Sequence, residues 1–446
     1  MSSLSNQGLS WKQYLPFNRS PRPIPDPSKN ERRLLERCSN KNLEQVSSGE
    51  LGAYLLHLRS LTKKLWLGKW DSLIDQEYIL HEQPFEKIVQ LCYEVADVLR
   101  EHGAISINKI VQKMQGKKII RVDTDQSYDS YGLIFSILGW LSLLYIPAIQ
   151  DQSGEMRIIT QSTQLTIKDK IPTELVSRPL DELLRKFGEL LPIRDIGRNE
   201  PVSQINAQAA TPTRLEVSHM NVATLKDMAN MQIIWVDSLS EHLEFDPAQP
   251  SLSLFKCPSF CRIQKQSDES TLAIMLRDFY EDYEKPSEDF TVAKLLNEVI
   301  LSYVLLFRSD RRSRKVYERS ERARAALYRE GSHFYTDPFL DELCGNRSSS
   351  WFAFGGPIRE SYDSSVDFPV FKARLERIQQ HVKDIQPNRF MSLWRDQRDL
   401  RLWYTIWAVI ILSIIGIVIA AISMFLAAIQ VNLAKMAYEL QLKGQS

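Results

Sequence analysis

The feature that most constrains this chain is a stretch near its end, between Arg401 and Lys435, that contains no charged residue. Apolar side chains dominate it, and three aromatic residues stand within its first six positions. About 20 apolar residues in a helix cross the roughly 30 Å hydrocarbon core of a bilayer, and Trp and Tyr favour its interfaces. Residues 402–430 are therefore predicted to form a transmembrane helix in contact with lipid.

The basic residues around the span predict which side of the membrane each end occupies. Four arginines precede the span and two lysines follow it, namely Arg389, Arg395, Arg398 and Arg401 against Lys435 and Lys443. Because the more basic flank stays in the cytosol, residues 386–401 are predicted to lie next to the membrane on the cytosolic side, with the short tail 431–446 beyond it. The prediction is a single-pass, tail-anchored protein with a cytosolic N-terminal region.

Small residues inside the span allow one further contact. Two pairs follow the small-xxx-small spacing that lets membrane helices approach closely, and these are Gly416 with Ala420 and Ser423 with Ala427. Self-association through 416–427 is one interpretation. The other is that small residues are simply frequent in membrane helices.

Cysteine usage and the N-terminus agree with a cytosolic location. The five cysteines are scattered and odd in number, whereas disulfide frameworks are dense and usually even. Residues 1–16 contain no apolar run long enough for a signal peptide. Asn18 and Asn346 each begin a tripeptide of the N-glycosylation pattern, but such short patterns arise often by chance.

Length and composition are those of a globular protein whose net charge is close to zero. The chain has 446 residues, enough for two or three domains, with 43% hydrophobic and 25% charged residues and a formal net charge of +1. A charge so close to zero excludes attraction of the whole molecule to nucleic acid or anionic lipid. Any electrostatic partner must therefore be recruited by a local patch.

The first 195 residues predict a disordered leader and a helical domain. Residues 1–30 are polar and proline-rich, as in extended linkers. Over 31–195 apolar residues recur at three- and four-residue spacings, which mark buried helix faces; the clearest are Leu51, Leu55, Leu58, Leu61 and Leu65, then Ile88, Leu91, Val95, Val98 and Leu99. The apolar run 133–146 is too short to span a bilayer comfortably and is predicted to be a core helix.

Part of this domain follows the order of a winged helix, with a helix ending at Gly103, a short helix up to Gly116, and extended segments at 119–122 and 157–160. In a DNA reader the helix near 109–117 would enter the major groove. It carries lysines but no Arg/Asn set for base edges, and a membrane anchor argues against that role. We therefore predict a structural helical subdomain and no nucleic-acid partner.

The second half predicts a linker followed by an α+β domain, so that the fold class is mainly α with a small β component. Residues 196–220 are polar with Gly and Pro, as in linkers, and 221–385 form the second domain. Within it 231–236 and 252–255 are predicted strands, and the apolar run 290–307 is predicted to be a buried helix.

Two further segments of this domain concern partners. The segment 308–324 is rich in arginine and mixed with acids, so it either lies on an anionic leaflet or forms an ordinary solvated helix face. Phe371, Leu375, Ile378 and Val382 line one helix face, which must pack on the domain or on a second copy. Residues 371–382 are thus a predicted site of protein contact or self-association.

The familiar catalytic and cofactor motifs are absent from the sequence: it contains no glycine-rich phosphate loop, nucleophile elbow or Cys-x-x-Cys pair. The best metal candidates are His242, Cys257 and Cys261, one ligand short of a closed zinc site, and buried structural thiols are the alternative. His242 near acidic residues is also an acid–base candidate. No catalytic residue, cofactor or metal is predicted beyond these.

Several stretches resemble a family of filamentous-fungal proteins of uncharacterised activity. They cover about the C-terminal half and are NVATL at 221–225 with IIWVDSLSEHLEFD at 233–246, LFKCPSFC at 254–261, LLFRSD at 305–310 and LWRDQRD at 393–399. The resemblance implies a fungal origin, a cytosolic domain and one C-terminal membrane helix, and it implies no chemistry. The chain departs from the pattern at Arg308, where proline is expected.

These observations predict a membrane-anchored accessory or interaction protein. The alternative is a membrane-surface enzyme that acts on an apolar metabolite. A pocket with converging polar groups around His242 would favour the enzyme, and an exposed apolar face along 371–382 would favour the interaction protein.

Overall fold

A computed structural model describes residues 26–41, 43, 46–65, 70, 73–75, 84–121, 127–148, 154–161, 166–188, 190–192, 214–279, 290–327, 336–345, 359–385 and 400–444. About 63% of it is helical and strands are few. The predicted fold class, mainly α with a small β component, is therefore confirmed. Most of the predicted leader and of the predicted juxtamembrane segment lies outside the described residues.

Three helices open the body: α1 (Lys29–Ser39), α2 (Ser48–Leu65) and α3 (Pro84–His102). Helix α1 begins with a capping box in which Ser28 accepts the N–H of Glu31 and the Glu31 carboxylate accepts the N–H of Ser28 at 2.7 Å. This satisfies two donors that a helix start leaves unpaired. The predicted apolar faces of α2 and α3 lie in the core, including Leu51, Leu55, Leu58 and Leu61 on α2 and Ile88, Leu91, Val95, Val98 and Leu99 on α3.

A winged-helix order follows, built from α3, α4 (Ile107–Gly116), α5 (Ser127–Ser142) and an antiparallel sheet of β1 (Ile146–Pro147), β2 (Glu155–Thr160) and β3 (Thr166–Pro172). In this order the place of a recognition helix belongs to α5 and not to α4, the helix predicted near 109–117. Helices α2, α3, α4 and α10 surround α5, and all nine of its residues from Leu133 to Leu141 are buried. We call the β2–β3 hairpin the wing. Because α5 is enclosed, this unit serves as part of the core.

The remaining elements of the body alternate short helices and strands. They are a 3-10 turn (Thr173–Ser177), α6 (Leu180–Arg185), β4 (Arg214–Glu216), α7 (Val217–Met220), α8 (Val222–Asp227), β5 (Gln232–Val236), β6 (Phe245–Asp246), β7 (Ser251–Phe255), α9 (Pro258–Gln264), α10 (Thr271–Met275), α11 (Val292–Tyr303), a π-helical turn (Val304–Arg308), α12 (Arg311–Leu327), α13 (Pro338–Cys344), β8 (Ser361–Asp363), α14 (Ser364–Asp367) and α15 (Lys372–Asp384).

Two small sheets organise this second half. β5 and β7 are parallel neighbours, and the short β6 pairs antiparallel with the other edge of β7. β4 pairs with β8, which lies nearly 150 residues later in the chain. The strands predicted at 231–236 and 252–255 are present as β5 and β7, although their parallel pairing had no signature in the sequence.

The two predicted domains share one hydrophobic core. A single cluster of buried residues runs from Leu34 in α1 to Val382 in α15. The predicted linker 196–220 also ends earlier than expected, because residues 214–220 form β4 and α7. The reason is a long-range pairing, since β4 gains its hydrogen bonds from β8 and no local pattern reveals such a partner.

Helix α15 carries the apolar face predicted over 371–382. The face packs on α7, β4 and β6 of the same body, and its four apolar residues are fully buried, namely Phe371, Leu375, Ile378 and Val382. Of the two alternatives raised by the sequence, the structure therefore shows packing on the domain. The face is not available to a second copy of the chain.

A buried carboxylate holds the start of α15. Glu298 on α11 accepts the backbone N–H of Val370 at 2.9 Å and that of Phe371 at 3.0 Å. Val370 and Phe371 directly precede α15 and are buried, and a buried N–H without an acceptor is costly, so Glu298 satisfies two donors at the entry to the helix. This explains why an acidic residue stands inside the apolar run 290–307.

The last helix, α16 (Leu400–Gly444), is one uninterrupted helix of 45 residues. Its segment Trp407–Ala437, 31 residues long, is apolar enough to cross a membrane, and none of it is buried inside the body. Large apolar side chains such as Leu412, Ile417 and Phe425 are more than half exposed. The predicted apolar helix is thus present; its apolar segment begins five residues after the predicted start at 402 and ends seven residues after the predicted end at 430.

We predict that Glu298→Ala destabilises the body by about 3 kcal/mol, because two buried N–H groups lose a charged acceptor. The unfolding midpoint of the full chain in detergent, followed by circular dichroism against urea, measures the effect. Asn297→Ala on the exposed side of α11 is the matched control and should change the midpoint little. Equal shifts for the two variants would contradict the prediction.

Candidate functional site: a buried charge network beside a polar groove

The ring of His242 is enclosed in the core, and both of its nitrogens have partners. Nδ1 accepts the backbone N–H of Phe255 at 3.2 Å, and Nε2 lies 2.8 Å from Ser302 Oγ. Because the Ser302 hydroxyl donates to the carbonyl of Val299 at 2.6 Å, the proton between His242 and Ser302 belongs to Nε2. Burial, with the charge of Arg374 nearby, lowers the pKa of His242 to about 3, so the ring is neutral at physiological pH.

Cys257 and Cys261 are buried free thiols at the start and in the middle of α9. Burial raises the pKa of both thiols well above the usual value, and the Asp337 carboxylate raises it further. Metals bind the thiolate rather than the thiol. Across the described ranges no group of three or more His, Cys, Asp or Glu side chains could hold a metal ion. The structure therefore does not assemble His242, Cys257 and Cys261 into a ligand set.

The densest buried charge lies instead at the carboxyl ends of the two parallel strands. Asp237 directly follows β5, and Lys256 directly follows β7. Parallel neighbours deliver the residues after them to the same edge of a sheet, which is where ligands bind in many open α/β sheets. The Lys256 ammonium accordingly reaches the carboxylate of Asp237 and forms an ion pair with it.

Two residues from the N-terminal half complete the surroundings of Asp237. His57 on α2 places Nδ1 3.6 Å from Oδ1 of the carboxylate. Gln161, which follows β2, donates from Nε2 to Oδ2 at 2.8 Å and accepts the backbone N–H of Asp237 at 2.9 Å. We call Asp237, Lys256, His57 and Gln161 the Asp237 network, which joins α2, the wing and the β5–β7 sheet.

A second buried carboxylate ties the wing to the loop after β5. One oxygen of Glu241 accepts the Thr160 hydroxyl at 2.7 Å and the Gln161 N–H at 2.8 Å. The other oxygen accepts the Ser238 hydroxyl at 2.6 Å. Glu241 is fully buried, and these three donors replace the water that it loses. The end of β2 is therefore fixed by two carboxylates from the same loop.

Asp237 stays ionised despite its burial. Burial alone would raise its pKa, but the charges of Lys256 and His57 and the hydrogen bonds from Lys256 and Gln161 outweigh it, so the pKa lies well below the usual value. A carboxylate, an imidazole and an ammonium are the groups of general acid–base chemistry. Here the side chains of His57 and Asp237 are only 7% and 5% exposed. We therefore interpret the Asp237 network as a structural contact that holds α2, the wing and the β5–β7 sheet together.

A groove lies next to the Asp237 network, and Thr160, the neighbour of Gln161, is one of its lining residues. Its volume of about 590 Å³ is within the size range of ligand sites. The wing, the segment around 188–192, the β6–β7 hairpin and the first turns of α15 form its walls. Its lining residues are Thr160, Lys168, Gly188, Leu191, Pro192, Leu243, Glu244, Phe245, Asp246, Ser251, Ser253, Ala373, Arg374 and Arg377.

Glu244 is the charged centre of this groove. It forms an ion pair with Lys168 of the wing, and it lies 3.5 Å from Arg374 of α15. Arg374 also donates to the carbonyls of Ser240 and His242, so its position is fixed. Arg377 is exposed three residues further along α15. With Asp246, the lining carries three cations and two carboxylates, which leaves one positive charge in excess.

Two serines extend the polar wall. Ser251 and Ser253 alternate along β7 with Leu252 and Leu254, which lie in the core. Because successive side chains of a strand point to opposite faces, the hydroxyls of Ser251 and Ser253 face the groove that both residues line. The guanidinium groups and the slight positive excess offer contacts for a polar or anionic group, and apolar side chains such as Leu191, Leu243 and Phe245 line the same groove.

The sequence pattern points to His242 and does not reveal the Asp237 network. The sequence does show that Asp237 and Lys256 each directly follow a predicted strand. This places the two side chains together only once the two strands are known to be parallel neighbours. His57 and Gln161 offer no local signal, because they lie far from Asp237 in the chain.

No protein-family model, curated protein or solved structure matches this chain. Its function therefore has to be inferred from its own geometry.

We predict that Asp237→Asn destabilises the body by about 3 kcal/mol at pH 7, because it leaves Lys256 and His57 without the buried carboxylate. The pKa of Asp237 is depressed in the folded state, so its stabilisation is fully present above the ordinary carboxyl pKa of about 4 and is lost as the pH falls below it.

The difference in thermal midpoint between wild type and Asp237→Asn should accordingly be largest at pH 7 and shrink towards pH 3.5, as measured by scanning fluorimetry in detergent. Asp268→Asn, at an exposed position, is the control and should show no such trend. A difference that stays constant with pH would refute an ionised Asp237.

Proposed function

We propose that this is a tail-anchored accessory protein that holds a cytosolic interaction body at an intracellular membrane. The observation that carries the proposal is α16. Its 31-residue apolar segment has no part buried against the body. Such a segment is unfavourable in water, at roughly 25 cal/mol for each Å² of exposed apolar surface. Insertion into hydrocarbon removes that surface from water without unpairing any helical backbone group.

The cytosolic placement of the body has separate support. The arginines on the N-terminal side of the span outnumber the lysines beyond it, which favours a cytosolic body. All five cysteines are free and buried, as expected in a reducing compartment. The stretches that resemble filamentous-fungal membrane proteins support a fungal origin, and they come with the same arrangement of body and anchor.

The body's chemistry favours interaction over catalysis on an apolar metabolite. His242, the acid–base candidate, has both ring nitrogens engaged by the core. The groove beside the Asp237 network combines charged side chains with apolar ones, as protein-binding surfaces do. We therefore place the contact with a partner at this groove and the contact with lipid at α16.

Deletion of residues 402–446 should move the protein from the membrane pellet to the supernatant after alkaline carbonate extraction. The matched control is deletion of 438–446 alone, which leaves the apolar segment intact and should keep the protein in the pellet. If the longer deletion stays in the pellet, a different part of the chain binds the membrane.

Orientation can be measured by glycosylation, since Asn-X-Ser/Thr is modified on the lumenal side. A flexible extension ending in Asn-Gly-Thr after Ser446 should be glycosylated, whereas the same extension before Met1 and the natural sites at Asn18 and Asn346 should not. Each modification is read as a mobility shift that endoglycosidase removes. Glycan on Asn346 or on the N-terminal extension would place the body in the lumen and overturn the proposal.

A further inference from the structure

Helix α12 is fixed on the body by one face. Ser313 Oγ accepts the backbone N–H of Ala223 at 2.9 Å. The Tyr317 hydroxyl donates to Asp341 at 2.6 Å, and its ring lies edge-on to Trp235 with centroids 6.0 Å apart. Ser313 and Tyr317 are both buried. These contacts fix which face of the helix lies against the body, so the opposite face points away from it.

That opposite face carries a row of cations. Arg311, Lys315 and Arg319 follow one another at four-residue spacing and are all exposed, so they lie one above the other on the helix surface. None of the three forms an ion pair within the part of the chain that the structure describes. We call these three residues the basic stripe.

Nearby acids do not neutralise the stripe. Asp310 lies 3.5 Å from Arg312, and it also caps the start of the helix by accepting the N–H of Arg312 at 3.0 Å. Glu318 is half-buried and, although it follows Lys315 by three residues, it forms no ion pair with the stripe in the part of the chain that the structure describes. Like charges at four-residue spacing destabilise a helix slightly, so the stripe is an unfavourable arrangement unless an anionic surface offsets it.

The anchor keeps this stripe close to a bilayer. Only residues 385–399 separate α15 from α16, and a chain of that length spans at most about 54 Å even when fully extended. The tether therefore keeps the body, and the basic stripe on it, at a high local concentration next to the leaflet that holds the anchor.

We propose that the basic stripe docks on anionic lipid headgroups of the leaflet that holds the anchor, and so sets the orientation of the body on the membrane. The inference rests on the proposed function, because the cytoplasmic leaflet is the anionic one. Each basic group near such a surface strengthens binding about fivefold, and three act together here. The net charge of +1 makes this a property of one face rather than of the whole molecule.

The test uses the full chain in nanodiscs of neutral phosphatidylcholine, or of the same lipid with about 30% phosphatidylserine. Brief labelling with an amine-reactive acetyl ester, read by mass spectrometry, reports the exposure of each lysine. We expect Lys315 to react at least about threefold more slowly in the anionic discs. The exposed lysines Lys109 and Lys113 on α4 should react equally in both, and 0.5 M salt should abolish the difference.

Two double variants test whether the slower labelling of Lys315 depends on the basic stripe. Arg311→Gln with Arg319→Gln should remove most of the protection of Lys315, whereas the matched pair Lys109→Gln with Lys113→Gln should leave it unchanged. Equal labelling of Lys315 in both lipids, equal slowing of the α4 lysines, or full protection in the stripe variant would each overturn the proposal. Nanodiscs present the same lipid on both faces, so this result does not depend on cellular orientation. A lumenal body found by glycosylation would instead overturn the proposed function.

Discussion

A carboxylate enclosed by protein stays ionised only where cations and donors take the place of water. Asp237 meets that condition with groups from distant parts of the chain: His57 on α2, Gln161 after the wing, and Lys256 after β7. Since loss of any partner would leave a charge stranded, the positions of these segments are coupled. The polar groove depends on the same coupling, because the wing that forms one of its walls is fixed here.

The parts of the fold that local patterns specify were predictable from the sequence. Helix faces such as Ile88 to Leu99, the strands at 231–236 and 252–255, and the charge-free stretch before Lys435 all show a period or a length that only one structure satisfies. The pairings β5–β7 and β4–β8 were not predictable, because each is decided by a partner far away in the chain. For the same reason the linker predicted at 196–220 separated two halves of the chain that share one hydrophobic core.

The candidate site shows the same limit more sharply. His242 attracts attention in the sequence because histidine near carboxylates is a familiar catalytic pattern, yet its ring is neutral and hydrogen-bonded on both sides. The residues that gather charge, Asp237 and Lys256, look ordinary until their strands are placed side by side. Glu298 is a further case, since its role becomes clear only when the start of α15 lies beneath it.

The length of α16 has a consequence for the thickness of the bilayer that it would fit. At 1.5 Å per residue the 31-residue segment Trp407–Ala437, which is apolar overall and carries Lys435 near its end, extends about 46 Å, beyond the roughly 30 Å of an average hydrocarbon layer. Across such a layer a helix of this length would tilt, or the lipids around it would stretch. Each ångström of mismatch costs a fraction of a kcal/mol, so a thick, sterol-rich bilayer would accommodate it with less strain than the thinner membrane of the endoplasmic reticulum.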